Sequence, residues 1–361
     1  MAGEGVGVSE RVARTTISQW SKMVSEQTID RYILLKMLQS KGLIKYGNSG
    51  GEMRWVVRYR DHALKGFPDN APISFGREHT LLNAKLPWRG YHLTDAITLR
   101  EKLEQGGKEA MIKVFSNREE VMRRAAGRQL SGEWFKDGNL AANAAAETFH
   151  GIESFMGQTG HTDTNVLCVT QNDTYAGLST AISGITGATN SKMWTPVIVH
   201  TADNANTWTT SCDEYIRKLL IEACYGAGPE DNQDLILLTK DSYEILLNKL
   251  DDKERLNFRR GEGTAVAKFG FDKFVEFDGC SIGWDAGVPS TDTVSGVTNT
   301  VRGYSFNTNR MKLKVLGGGK SLFKGRVTFN DNYQADHIFL YLLGNLVFES
   351  PRHFGKLADL G

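Results

Sequence analysis

The sequence predicts an α+β fold, on three observations. Two short stretches alternate apolar and polar residues with the period of a strand. A longer stretch after them keeps an apolar stripe at the period of a helix. Downstream, strands and helices interleave without the repeating βαβ rhythm that would mark a doubly wound sheet.

The alternating stretches come first in the argument. From Glu52 to Asp61, Met53, Trp55, Val57 and Tyr59 fall on one side. Glu52, Arg54, Arg58 and Arg60 fall on the other, with Val56 the exception. A second run sets Thr80, Leu82, Ala84, Leu86 and Trp88 against His79, Asn83, Lys85 and Arg89. Between them lie Gly66, Pro68, Asp69, Asn70, Pro72 and Gly76, residues that break strands. The reading is a long hairpin over 52–93 whose Trp-bearing face has no partner close by in the sequence. Two strands alone are marginal in water, so that face predicts contact with another subunit. The candidate contact residues are Trp55, Val57, Tyr59, Leu82, Leu86 and Trp88.

Ahead of the hairpin, residues 1–50 read as an extended or partly helical arm, with an amphipathic piece over 32–43. Gly47, Asn48, Ser49, Gly50 and Gly51 form a flexible joint, with Gly50 and Gly51 as hinge candidates. Behind the hairpin, Thr98 and Glu101 have the spacing of a capping box. From Leu99 the apolar stripe runs through Met111, Met122, Ala126, Leu130 and Trp134 to Asp137-Gly138, enough for a helix of about 55 Å. Gly106-Gly107 interrupts it, as the gap between two helices or as a hinge.

Farther on, strands are predicted at 166–170, 196–200, 235–238, 269–282, 304–315 and 322–329, with a closing apolar piece at 338–348. A helix is predicted over 211–225, with Tyr215, Leu219 and Cys224 facing inward, and another capped by Asp241 and Glu244. Residues 290–301 read as an exposed polar loop.

Sites of chemistry are not found in the sequence. Gly318-Gly319-Lys320-Ser321 resembles the end of a phosphate-binding loop, but Lys314 stands where the motif needs glycine, and a strand pattern follows where a helix is required. His161-Thr162-Asp163 and Asp336-His337 each pair a carboxylate with an imidazole, without the third ligand a metal or acid–base site needs. No catalytic residue, cofactor or metal site is expected. The 43 basic and 42 acidic residues nearly cancel, which excludes a strongly cationic nucleic-acid binder. Four scattered cysteines suit reduced, buried thiols rather than a disulfide framework. No apolar run reaches the length of a membrane span and no secretory leader is recognised, so a soluble, intracellular protein without membrane partners is expected.

The order of arm, hairpin, long helix and two further α+β regions resembles the major capsid proteins of tailed double-stranded DNA bacteriophages. Arg89-Gly90-Tyr91-His92-Leu93-Thr94-Asp95-Ala96 resembles that family's junction between extended loop and spine helix. Asp234–Thr239, Gly270-Phe271, Phe277–Ile282 with Asp285, and Tyr304-Ser305-Phe306-Asn307 are similar to its later strands. Gln334-Ala335-Asp336, Gly344–Val347 and Ser350-Pro351-Arg352 resemble its closing segment. The resemblance implies a Hong Kong phage-type capsid fold: an N-terminal arm 1–50, an extended loop 51–96, a spine helix 97–138 in a peripheral domain, an axial domain 139–268, and strands returning over 269–361. It also implies a structural role, with pentamers and hexamers closing an icosahedral shell around phage DNA. An encapsulin-like compartment of the same fold is the alternative. Scaffolding and portal proteins are the implied partners, contact with DNA is non-specific, and assembly takes place in the host cytoplasm before the protein resides in the virion capsid. Some relatives cross-link a hairpin lysine to a distant asparagine. Lys65 and Lys85 lie in the right element here, but no acceptor is matched and no such link is expected.

Overall fold

The computed structural model describes residues 33–60, 62, 64, 66, 76, 79–104, 118, 121–122, 125–157, 174–180, 194–201, 207–224, 231–251, 275–294, 297–317, 322–330 and 335–359. The chain enters through helix α1 (Ile33–Ser40), which buries Leu34, Met37 and Leu38 at i, i+3 and i+4 on one face. Strand β1 (Ile44–Asn48) follows, then the hairpin strands β2 (Glu52–Arg58) and β3 (Leu81–Pro87). Residues 33–48 are therefore built into the fold rather than held out as an arm. Half of the expected glycine joint is also pinned, because Gly47 N–H donates to Gly317 O at 3.1 Å and Gly317 N–H to Asn48 O at 3.0 Å. Gly47, at φ +77°, and Gly50, at φ +106°, are the positions there whose backbone favours glycine.

The hairpin ends at Pro87, short of the expected 93. Strand β4 (Arg89–Thr98) belongs to another sheet and runs straight into helix α2 (Leu99–Glu104). The capping box forms as read: Glu101 N–H donates to Thr98 Oγ1 at 3.3 Å, and Thr98 N–H to Glu101 Oε2 at 3.1 Å. Helical residues recur at 118, 121–122 and 125–133, the last stretch labelled α3. Gly106 and Gly107 lie outside the described residues, as do 166–170, 269–274, 318–321 and His161-Thr162-Asp163.

Further along come α4 (Ala141–Ala145), the small pair β5 (Thr174–Tyr175) and β6 (Leu178–Ser179), and β7 (Val197–His200). Helix α5 (Trp208–Ala223) starts ahead of the expected boundary because Thr207 and Thr210 form a reciprocal cap. It buries Tyr215 and Leu219, but Cys224 is its exposed C-cap, so of the expected inward thiols Cys212 and Cys280 are buried and Cys224 is not. Strand β8 (Leu235–Leu238) is buried on both faces, which explains its unbroken apolar run. Helix α6 (Lys240–Asp251) is capped by Thr239, whose Oγ1 lies 2.8 Å from Ser242 Oγ, rather than by Asp241 and Glu244.

The remaining strands are β9 (Val275–Phe277), β10 (Cys280–Trp284), β11 (Thr291–Val294), β12 (Val297–Phe306), β13 (Met311–Leu316), β14 (Lys324–Asn330), β15 (Ala335–Phe348) and β16 (Gly355–Asp359). The expected polar loop at 290–301 is instead a β-hairpin with Asn299 fully buried. Thr and Val favour strands, and of the polar residues that suggested a loop, Asp292 faces a buried ion cluster while Thr291, Thr293 and Thr298 are exposed. The expected single strand 304–315 is two. Asn307 accepts from Asn309 N–H at 3.1 Å and turns the chain from one sheet to the other.

Those two sheets organise the molecule. A five-stranded sheet runs β1-β13-β15-β14, with β4 also paired along β15. A seven-stranded sheet runs β7-β16-β12-β8-β10-β9, with β11 on β12. The 14 residues of β15 serve three partners: residues 335–341 pair with β14, 335–344 with β4, and 344–348 with β13. One core joins the two sheets, and aromatic rings dominate its middle. Phe155 meets Phe348 at 4.9 Å, Tyr175 at 5.1 Å and Phe354 at 5.9 Å between centroids.

Candidate assembly surface and its mount

In the hairpin, Met53 opposes Leu86, Trp55 opposes Ala84, and Val57 opposes Leu82. The period-two pattern thus places all the candidate contact side chains of these strands on one face. Burial on that face falls with distance from the root. Met53, Ala84 and Leu86 are buried, Trp55, Val57, Tyr59, Leu82 and Trp88 are half-buried, and Val56 and Leu81 on the opposite face are exposed.

This corrects the expectation of an uncovered face. The chain itself covers the lower half: Trp55 Nε1–H donates to Glu349 O at 3.3 Å, and its ring lies 6.3 Å from that of Tyr175. Lys85 N–H donates to Ala176 O at 2.9 Å, fixing the second strand to the β5–β6 turn. Trp88 Nε1–H donates to Gly50 O at 2.7 Å and latches the joint. Leu86 is buried in the chain's own core and supports the face rather than offering itself to a neighbour.

The root of the hairpin is fixed by a buried hub that the sequence reading missed. Asn345, fully buried on β15, accepts from His150 N–H and from Leu346 N–H, each at 2.9 Å. Its Nδ2 donates to Pro87 O at 3.0 Å and to His150 Nδ1 at 2.8 Å. One side chain therefore joins the end of the hairpin, the loop after α4 and the longest strand. Next to it, Arg89 donates to Gly138 O and Thr148 O, both at 2.6 Å. Tyr91 O–H donates to Glu133 at 2.7 Å and accepts from Phe149 N–H at 2.7 Å. Burial, then the bond to Glu133, pushes the Tyr91 hydroxyl well above its ordinary range, so it stays protonated.

Burial first, and the Arg89 charge second, lower the His150 pKa from 6.5 to about 3. A neutral ring is what the hub requires, because Nδ1 must accept from Asn345. The folded value lies below the unfolded one, so the stabilisation is complete above pH 6.5 and is lost as pH falls towards 3. We expect this residue to steepen the acid loss of stability by up to about 1.4 kcal/mol per pH unit in that window. Urea midpoints of unassembled wild type and His150→Gln at pH 7 and pH 4.5 check it. Equal changes in both chains would remove His150 from the account.

No clusters of metal-binding side chains occur among the described residues, and no helix there is long and apolar enough to cross a membrane.

No family model and no curated protein matches the sequence. Solved structures do match. The capsid of a native GTA particle is 8% identical and aligns with a TM-score of 0.54 over 89% of each chain. The cyanophage A-1(L) capsid is 12% identical, with a TM-score of 0.55 over 90% of this chain and 92% of the other. A holo-SrpI encapsulin complex from Synechococcus elongatus is 11% identical, with a TM-score of 0.50 over 89% and 87%. Agreement at this coverage despite such low identity rests on architecture. The chain has the Hong Kong phage-type fold of tailed-phage major capsid proteins.

Proposed function

We propose that the protein is a phage major capsid protein whose subunits form pentamers and hexamers of an icosahedral shell around double-stranded DNA. The observation that carries the reading is the match of nearly the whole chain to a cyanophage capsid and to the capsid of a GTA particle computed with fivefold symmetry. Its role is structural rather than catalytic. Scaffolding and portal proteins are its partners during assembly in the host cytoplasm, and the shell wall meets DNA without sequence preference. A near-neutral chain suits a wall that must not hold the genome tightly. In this reading the five-stranded sheet and α3 form the peripheral domain, and the seven-stranded sheet the axial domain.

The hairpin reaches a neighbouring subunit with its half-buried edge: Tyr59 and Leu82 beyond the chain's own cover, and the parts of Trp55, Val57 and Trp88 that their own core leaves exposed. Gly50 and Gly51 give the joint on which it adjusts. Head-to-tail contact of unlike patches closes rings when the rotation is right. Electron microscopy of the purified protein, alone and with its scaffolding partner, tests the reading. Monodisperse monomers under both conditions would sink it. An encapsulin-like compartment is the second reading, favoured by the encapsulin match. A gene neighbourhood with portal and terminase genes supports the first; an adjacent cargo-enzyme gene supports the second.

Trp55→Ala tests the hairpin directly. A buried aromatic anchor is worth about 2 kcal/mol or more at one contact, and a shell repeats the loss at every contact. Assembly should fail while the helical circular-dichroism signal is unchanged. Normal shells from this variant would remove Trp55 as an anchor.

A further inference from the structure

A second buried polar cluster, inside the seven-stranded sheet, takes no part in mounting the hairpin. Lys356 of β16 is 1% exposed, and its Nζ lies 2.7 Å from Asp292 Oδ2 of β11. The same nitrogen lies 2.8 Å from Glu153 Oε1 and 2.9 Å from Oε2, on the 3-10 turn 152–155. Tyr304 O–H donates to Glu153, and the Phe135 ring stands 5.4 Å from that of Tyr304. The site is thus one amine in contact with two carboxyl groups, beside an aromatic wall.

One ammonium cannot balance two carboxylates in so apolar a place. Burial, opposed chiefly by Lys356, raises Glu153 from 4.5 to about 7, so a share of its carboxyl groups is protonated at neutral pH. Burial also works against the Lys356 ammonium, and Glu153 with Asp292 more than restores it. The resting arrangement is an ion pair with a proton donor alongside.

We propose that Lys356 and Asp292 join in an intrachain isopeptide bond, with Glu153 moving the protons. Transfer of one proton from Nζ to Asp292 Oδ2 gives a neutral amine and a carboxylic acid without changing the net charge of the cluster. Low polarity narrows the gap between that neutral pair and the ion pair. The amine then attacks Asp292 Cγ. The Glu153 carboxyl group donates a proton to the departing hydroxyl and recovers one from the nitrogen. The C–N bond forms, the C–O bond breaks, and one water leaves, with no oxidant or cofactor required. Fixed neighbours in such a site react as if present at about 10⁵–10⁸ M, which offsets the poor reactivity of an unactivated acid. The product ties β11 to β16 across β12, so the C-terminal strand cannot peel from the sheet. The inference does not depend on shell assembly.

Intact-mass spectrometry of the denatured full chain decides it. Folded wild type should weigh one water less than its unlinked sequence. A tryptic species should join the peptide holding Asp292 to the one holding Lys356. Lys356→Arg, Asp292→Ala and Glu153→Gln should each weigh the full mass of their own sequences, while Asp292→Asn should link with loss of ammonia instead of water. Wild type at full mass overturns the proposal and leaves an ion pair. A water loss that persists in Asp292→Ala places the bond elsewhere and overturns it too.

Discussion

Replacing Asn345 by alanine should lower the stability of the unassembled chain by about 3 kcal/mol or more, since each buried polar group left without a partner costs about 1–3 kcal/mol. Four groups lose theirs at once: Pro87 O, His150 Nδ1, His150 N–H and Leu346 N–H. The three on His150 and Leu346 cannot turn to water, because both residues are buried. The loss also frees the hairpin root from β15, so faster hydrogen exchange should appear in β3 before it appears in β8. Asn345→Asp separates the roles. It still accepts from both N–H groups but cannot donate to Pro87 O, and its charge favours a protonated His150, so stability should peak at lower pH than in wild type. Urea unfolding of the three chains is the check. A loss below about 1 kcal/mol for Asn345→Ala, the scale of one ordinary hydrogen bond, would show that the hub is not the mount.

Phe155→Ala should cost about 3–5 kcal/mol, the range for deleting a buried aromatic ring. Phe155 is fully buried where both sheets meet, in contact with Tyr175, Phe348 and Phe354. Tyr175 is in turn the ring against which Trp55 rests, and its hydroxyl accepts from Phe348 N–H at 3.0 Å. A cavity at Phe155 therefore weakens the support of the hairpin as well as the core. Phe155→Leu should lose much less, because most of the volume remains. Similar losses for both variants would mean that ring contacts, not the cavity, carry the stability.

The hairpin strands, the Thr98–Glu101 cap and the apolar run of β8 were legible because each is written in local spacing. Alternation, a four-residue cap and a short apolar run need no knowledge of distant partners. The hub could not be read this way. Asn345 meets His150 across 195 residues of sequence, and nothing in the surroundings of either announces the other. Lys356 and Asp292 failed for the same reason, and Asp292 was further hidden in a polar stretch that looked like a loop. Arg89 and Asn345 did lie in segments that resembled capsid proteins. The resemblance marked the segments without giving the side chains their roles. The uncovered hairpin face was misjudged because its cover comes from Tyr175 and Glu349, far away in the chain.

The most direct test is a cryo-microscopy reconstruction of particles formed by the purified protein with its scaffolding partner. The account predicts a closed icosahedral shell of fivefold and sixfold rings, in which the hairpin Glu52–Pro87 keeps its root on its own β15 while its half-buried edge lies on the adjacent subunit. A protein that stays monomeric, or a shell whose hairpins touch only their own chains, would contradict it.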